Sequence, residues 1–217
     1  MDIERARFNM IESQVRTWEV LDQAVLDTLA AVKREEFVPP QYRSLAFVDM
    51  DIPLGHGEAM LAPKLEARLL QELTLRRSDR VLEVGTGSGY MAALLAHLVA
   101  QVHSIELHPD LSQSASEKLA RAGISNAVLR VGNGALGWPE EGPFDAIVLT
   151  GSVPIIPTGL REQLAPGGRL LAIVGEAPAM TARLVTQVSP GVYNETGLFE
   201  TCISPLREVR QPERFVF

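Results

Sequence analysis

The stretch Val81-Leu82-Glu83-Val84-Gly85-Thr86-Gly87-Ser88-Gly89 decides how this chain is read. A short apolar run passes directly into a Gly-x-Gly-x-Gly turn, and the residues after it carry a helix over about 89–99. Glycine lets a backbone turn tightly and approach a ligand closely, because no Cβ intervenes. A strand that enters such a turn and opens a helix begins a βαβ unit, and parallel sheets bind ligands outside the carboxyl ends of their strands. The plain alternative is a tight βα turn that binds nothing.

Charge near the turn narrows the ligand. A dinucleotide fingerprint, Gly-x-Gly-x-x-Gly, needs glycine at position 90, where the chain has Tyr90. Glu83 places an acid within the first strand, unfavourable beside a pyrophosphate and favourable beside an ammonium group. The next strand, Gln101–Glu106, closes on a carboxylate that can accept hydrogen bonds from both hydroxyls of a ribose. An adenosine bearing an amino acid instead of phosphates meets all three features, and S-adenosylmethionine is such a molecule. A nicotinamide oxidoreductase is the rival that Tyr90 and Glu83 weaken.

Outward from the turn, the pattern alternates. Leu65, Leu69, Leu70 and Leu73 mark a helix face before the first strand, and a further helix over about 110–122 ends at Gly123, a C′ position. Ala127–Val131, Phe144–Leu149 and 168–174 read as strands, and 181–206 as strands of a closing hairpin. Strands alternating with helices predict an α/β fold with a mostly parallel sheet. Upstream, Val20, Leu21, Val25, Leu26 and Leu29 recur at helical spacing, so residues 1–40 read as helix, while 41–63 read as a loop with the breakers Pro53, Gly55-His56-Gly57 and Pro63. The expected division is an N-terminal helical segment with a loop over 1–63, a ligand-binding α/β domain over 64–206 and an exposed tail over 207–217.

Composition excludes several classes. The chain has 217 residues, 46% apolar and 22% charged, the profile of a packed globular protein rather than a disordered or collagenous one. A net charge of −7 with interspersed signs argues against a nucleic-acid partner. No run reaches the roughly 18–20 apolar residues of a bilayer span, and Met1-Asp2-Ile3-Glu4-Arg5 lacks a secretory apolar core. The single cysteine, Cys202, excludes an internal disulfide, so no membrane partner and a cytoplasmic location are expected. His97, His103 and His108 lack partners at ligand spacing, so no metal site is expected. Ser88 is no hydrolase nucleophile, because Thr86 and Tyr90 stand where Gly-x-Ser-x-Gly needs glycine.

With these features the chain resembles the class I methyltransferases and, more narrowly, the protein-L-isoaspartate O-methyltransferases. The glycine turn is shared by many methyltransferases; the specific likeness lies elsewhere. It rests on Val32-Lys33-Arg34-Glu35-Glu36-Phe37-Val38-Pro39, Ile52-Pro53-Leu54-Gly55-His56-Gly57, Gly132-Asn133-Gly134, Pro143-Phe144-Asp145-Ala146-Ile147-Val148, Leu164-Ala165-Pro166-Gly167-Gly168-Arg169-Leu170 and Ile203-Ser204-Pro205-Leu206. The resemblance implies a Rossmann-like, doubly wound, seven-stranded sheet with an N-terminal helical extension. It also implies a protein or peptide substrate carrying isoaspartate. In cofactor binding it implies that Gly85, Thr86, Gly87, Ser88 and Gly89 wrap the methionine part, with Glu83 in the preceding strand. Glu106, beside Leu107, holds the ribose, and Asn133-Gly134 face adenine. The family usually has Asp at position 133; an Asn oxygen can still accept from the adenine amino group, or Asn133 is simply a turn residue between glycines.

The likeness breaks at one place. The family loop Gly-Gln-Thr-Ile-Ser-(Gln or Ala)-Pro reads here Gly57-Glu58-Ala59-Met60-Leu61-Ala62-Pro63, so Ala59 replaces the threonine and Leu61 the catalytic serine. A carboxylate is already ionised at neutral pH, so methylating it needs no general base but does need alignment. Losing one hydrogen bond to a charged acceptor costs about 1.5–3 kcal/mol, about ten- to a hundred-fold in rate. Replacement groups are His56, or a surface histidine between glycines, and Thr150 and Ser152 after the fourth strand, or hydroxyls tied to nearby backbone. Glu58 would repel an anion or attract a cation, unless it is simply a solvated loop carboxylate. Three functions therefore stay open: isoaspartyl methyl transfer, transfer to an unknown apolar acceptor, and a non-catalytic cofactor-binding module.

Overall fold

The computed structural model describes residues 2–209. Helix α1 (Ile3–Met10) starts where the Asp2 carboxylate accepts the Arg5 N–H at 3.1 Å. It passes into a π-turn over Ile11–Val15 and a 3₁₀ turn over Arg16–Trp18, and stops at Glu19, whose φ of 60° is left-handed. Asp22 then caps a separate helix, α2 (Gln23–Ala31), by accepting the N–H groups of Ala24 and Val25. The continuous helix expected over 1–40 is thus several pieces, ended by a left-handed residue and restarted by an N-cap.

The loop expected over 41–63 is also more ordered than its composition implies. After a 3₁₀ segment (Pro40–Leu45) it holds an antiparallel hairpin, β1 (Ile52–Gly55) and β2 (Glu58–Met60). Its tip is His56-Gly57, with φ of 56° and 80°, the pair of positive values that a tight hairpin favours. Pro63 opens α3 (Pro63–Glu72), which buries Leu65, Leu69 and Leu70.

The remaining elements are β3 (Arg80–Val84), α4 (Tyr90–Leu98), β4 (Gln101–Glu106), α5 (Pro109–Arg121), β5 (Ala127–Val131) and β6 (Phe144–Leu149), then a short helix not expected from sequence, α6 (Thr158–Glu162), followed by β7 (Leu164–Glu176), β8 (Ala179–Ser189) and β9 (Val192–Thr201). They form one seven-stranded sheet in the order β5-β4-β3-β6-β7-β8-β9. The strands from β3 to β7 run parallel, and β8 is antiparallel to both β7 and β9. Period-two alternation sorts the strand residues onto two cores. Val81, Val148, Leu171 and Ile173 face the side of α3 and α4, while Leu82, Val84, Ile147, Leu149 and Leu170 face the side of α6.

The chain moves outward from β3 through β4 to β5, then returns to the other side of β3 with β6. The crossovers on either side of β3 therefore leave a gap at the carboxyl ends of β3 and β6. After β9 the chain comes back toward this gap. Ser152 N–H donates to Ser204 O and Leu206 N–H to Ser152 O, both at 2.9 Å, which pins 204–206 beside the end of β6. In the expected exposed tail Arg207 and Glu208 are exposed and Val209 is buried, and residues 210–217 lie outside the described residues.

Candidate active site

A crevice opens at this switch point. Its floor is backbone. Gly85 N–H donates to Ile105 O at 2.9 Å, and the Thr150 hydroxyl lies against the carbonyls of Val84 and Gly85 at 3.0 and 2.6 Å. Gly85 has a φ of 100°, and a Cβ there would collide with the Thr150 hydroxyl; a Cβ on Gly134 would collide with the Val84 side chain. Both glycines are needed for the turn and the wall to approach this closely.

Glu106 ends β4 facing the crevice, its side chain fixed by backbone. One oxygen accepts Gly87 N–H at 2.8 Å and the other accepts His108 N–H at 3.0 Å. Each carboxylate oxygen keeps further lone-pair capacity for hydroxyl donors in the crevice. Leu107, Asn133, Gly134 and Ala135 continue the same wall. Asn133 uses its side-chain oxygen to accept Ala135 N–H at 2.8 Å, while its amide donates to Glu208 O at 3.2 Å. The side chain is thus engaged as the cap of a short 3₁₀ turn, the turn role that its position between glycines allowed.

The other residues of the glycine turn divide by direction. Thr86 and Ser88 are buried and turned off the main crevice. The Thr86 hydroxyl lies 2.5 Å from that of Ser104, which donates to Glu83 at 2.5 Å, and Ser88 accepts the Tyr90 N–H at 3.2 Å. Gly89 packs against Ala115 on α5. Glu83 is fully buried, with the Ser104 hydroxyl and the Ala92 N–H both acting on its carboxyl. Burial, reinforced by Glu106 and Glu66, pushes its carboxyl up to about 8 against the pull of the Ser104 hydroxyl. It lines a small adjoining pocket together with Glu66, Leu61, Thr86 and Ser88.

The hairpin β1–β2 and the residues after it form the opposite wall. Ala59 and Leu61 both line the crevice. The backbone around Leu61 is clamped from two sides: Arg34 donates to Leu61 O at 2.7 Å, and Ala62 N–H donates to Asp51 at 2.8 Å. Arg34 is itself fully buried in an ion pair with Glu66, whose carboxyl burial pushes up to about 7 despite that guanidinium.

Of the three replacement groups expected from sequence, only one reaches the crevice. Thr150 lines it, but its hydroxyl is committed to the two carbonyls below. Ser152 is buried, with its hydroxyl donated to Ile203 O at 3.3 Å, so it serves the β6–tail junction instead. His56 sits at the hairpin tip, 2.9 Å from the Asp110 carboxylate and stacked on His108 at 4.1 Å between ring centroids, outside the crevice lining. No cluster of three metal-ligating side chains occurs among the described residues. Asp51 and Arg207 line the crevice without having been singled out in the sequence, and Ser204 and Leu206, noted there only for the family likeness, line it because the chain returns after β9.

Comparison with known proteins agrees with this geometry. The model of the protein-L-isoaspartate(D-aspartate) O-methyltransferase family matches residues 6–202. Protein-L-isoaspartate O-methyltransferase 2 of Anaeromyxobacter sp. is 44% identical over 88% of this chain and 79% of its own. The protein-L-isoaspartate O-methyltransferase of Methylorubrum populi is 40% identical over 94% and 95%. Among solved structures, a Plasmodium falciparum chain described as a protein-L-isoaspartate O-methyltransferase in complex with S-adenosyl-L-homocysteine superposes with a TM-score of 0.82. It is 23% identical and covers 96% of this chain and 99% of that one. No helix among the described residues is long and apolar enough to cross a membrane.

Proposed function

Because the chain belongs to the protein-L-isoaspartate(D-aspartate) O-methyltransferase family, we propose that it transfers methyl from S-adenosylmethionine to the carboxylate of an isoaspartyl residue in a protein or peptide. The observation that carries this reading is one crevice with two unlike walls. On one side Glu106 is held open toward the space by two backbone N–H groups; on the other stand Ala59 and Leu61.

The residues present suit the cofactor. The glycine turn gives a wall without side chains and Glu106 offers acceptors to a ribose, whereas Glu83, pushed up to about 8 by burial, offers an ammonium group no fixed negative charge at neutral pH. In this assignment Gly85 and Gly87 would border the methionine part, Glu106 and Leu107 would hold the sugar, and Gly134 would face the base. The bound cofactor supplies an electrophilic methyl carbon. The chain's own work is to hold an acceptor oxygen in line with it, about 3–3.5 Å away, and to exclude water. Leu61 does the second: it is an apolar wall, 5% exposed, facing where the acceptor enters. No proton has to move, since the acceptor is ionised at neutral pH. A cytoplasmic setting belongs to the same proposal, consistent with the single, free cysteine.

Incubation with methyl-labelled cofactor and an isoaspartyl peptide tests the reading: base-labile label in the peptide, absent from the aspartyl control, is the expected result. The apolar pair Ala59 and Leu61 favours one second reading, a less polar acceptor. Label found only in components of a cell extract would establish that reading in place of the first.

A further inference from the structure

The charged groups lining the crevice are mostly acids. Asp51, Glu58 and Glu106 face it, with His108, and the sole guanidinium among the described lining residues is Arg207. An acidic crevice suits a sulfonium and an ammonium, but it opposes entry of an anionic acceptor. Arg207 is placed to reverse that locally. Its Nε donates to Glu58 at 2.9 Å, and a terminal nitrogen rests over Gly57, where a Cβ would lie 2.8 Å from it. Among the described residues the terminal nitrogens have no acceptor, and Nε alone is engaged. The backbone that presents it is rigid, because Leu206 N–H is bonded to Ser152 O at 2.9 Å.

Resting on the methyl-transfer reading above, we propose that Arg207 binds the acceptor carboxylate, and that Glu58 is the resting counter-ion which the acceptor displaces. The guanidinium stands in the same wall as Ala59 and Leu61, the positions that carry no hydroxyl here. A guanidinium matches a carboxylate in geometry and charge, so it can capture an anion that an apolar wall would reject. With one carboxylate oxygen held, the other remains free to face the methyl carbon. The pair is partly solvated, with side-chain exposures of 49% for Arg207 and 22% for Glu58, so exchange of one carboxylate partner for another meets little resistance.

The test is steady-state kinetics on an isoaspartyl peptide for wild type, Arg207→Met, Arg207→Lys and Glu58→Gln, with peptide binding to the S-adenosylhomocysteine complex measured by calorimetry. Arg207→Met is expected to raise KM about ten- to a hundred-fold, the loss of one charge-assisted contact, with a much smaller change in kcat. Arg207→Lys restores part of the loss, and Glu58→Gln lowers KM by removing the competing carboxylate. An unchanged KM in Arg207→Met overturns the proposal. So does a KM raised equally by Glu58→Gln, which would make the pair a structural latch. Peptide that binds wild type but not Arg207→Met, with no turnover by either, sinks the transfer reading and leaves the anion site standing. Peptide that neither binds wild type nor is methylated by it sinks both.

Discussion

Replacing Leu61 by serine asks whether the crevice still holds an acceptor in line for transfer. The backbone there is fixed independently of the side chain, by Arg34 on Leu61 O at 2.7 Å and by Asp51 on Ala62 N–H at 2.8 Å. The Cβ direction therefore survives the substitution, and a hydroxyl would enter the space that the leucine side chain now fills. Two effects oppose each other. Leu61 is 5% exposed and belongs to the core that includes Met60 and Leu65, so its truncation costs about 2–4 kcal/mol and roughly 5–12 °C in Tm for a chain of this size. The gained hydrogen bond to a carboxylate contributes about 1.5–3 kcal/mol in the transition state, about ten- to a hundred-fold in kcat/KM. Initial rates with labelled cofactor and isoaspartyl peptide, taken well below the lowered Tm, read the second effect separately from the first. Adding Ala59→Thr is expected to extend the gain. A Leu61→Ser protein that is folded, binds S-adenosylhomocysteine like wild type and shows no increase would refute the reasoning, because the hydroxyl would then be pointing at no acceptor.

Three further outcomes follow from the same structure. Glu106→Ala removes an acceptor for both ribose hydroxyls, each contact to a charged group being worth about 1.5–3 kcal/mol, so affinity for S-adenosylhomocysteine is expected to fall at least about a hundred-fold by calorimetry; a loss below tenfold would remove Glu106 from the sugar site. Gly134→Ala drives a Cβ into the stiff, β-branched Val84 and is expected to lower stability by about 1–3 kcal/mol and weaken cofactor binding, checked by thermal melts with and without S-adenosylhomocysteine. Glu83, pushed up to about 8, stays protonated in the folded chain over a range where the unfolded chain, with its carboxyl near 4.5, has released the proton. Stability is therefore full below about pH 4.5 and declines as pH rises toward 8 by a few kcal/mol, Glu66 adding the same sign up to about 7; urea midpoints against pH measure this, and Glu83→Gln is expected to flatten most of the slope.

The sheet was legible because its evidence is local and repeated. The central strands β3 and β6 are short, mostly apolar runs, and the turn at 85–89 marks the carboxyl edge where ligands lie. Glu106 could be found as the acid that closes a strand. What failed to show in sequence was anything set by a single residue's backbone or by distant pairing. Glu19 turns left-handed inside an apparently helical stretch, and His56 does the same in what reads as a loop, because the antiparallel partners Ile52 and Met60 compel it. Thr150 and Ser152 look equivalent in sequence, yet Thr150 lines the crevice while the pairing of Ser152 with 204–206 buries it against 203–204. Arg207 belongs to the site only because Ser152 pairs with the segment that precedes it, a contact across most of the fold.

The two walls differ in what holds them, and this explains how one could change while the other stayed. The cofactor wall consists largely of backbone: turn N–H groups, glycines packed to closest approach, and a carboxylate fixed by main-chain donors. Drift of side chains there gains nothing at Gly85 and Gly134, where an added Cβ collides. The acceptor wall is made of side chains on a hairpin whose backbone is secured from behind by the buried Arg34–Glu66 pair, so Ala59 and Leu61 can vary without the loop moving. Hydroxyls at these positions align a carboxylate that has already arrived, whereas a guanidinium at the rim draws one in and holds it. Alignment is felt in kcat and capture in KM. On this account the gain from Leu61→Ser falls mainly on kcat and the loss from Arg207→Met mainly on KM. The two substitutions, made together, would then combine multiplicatively, because each acts on a different step.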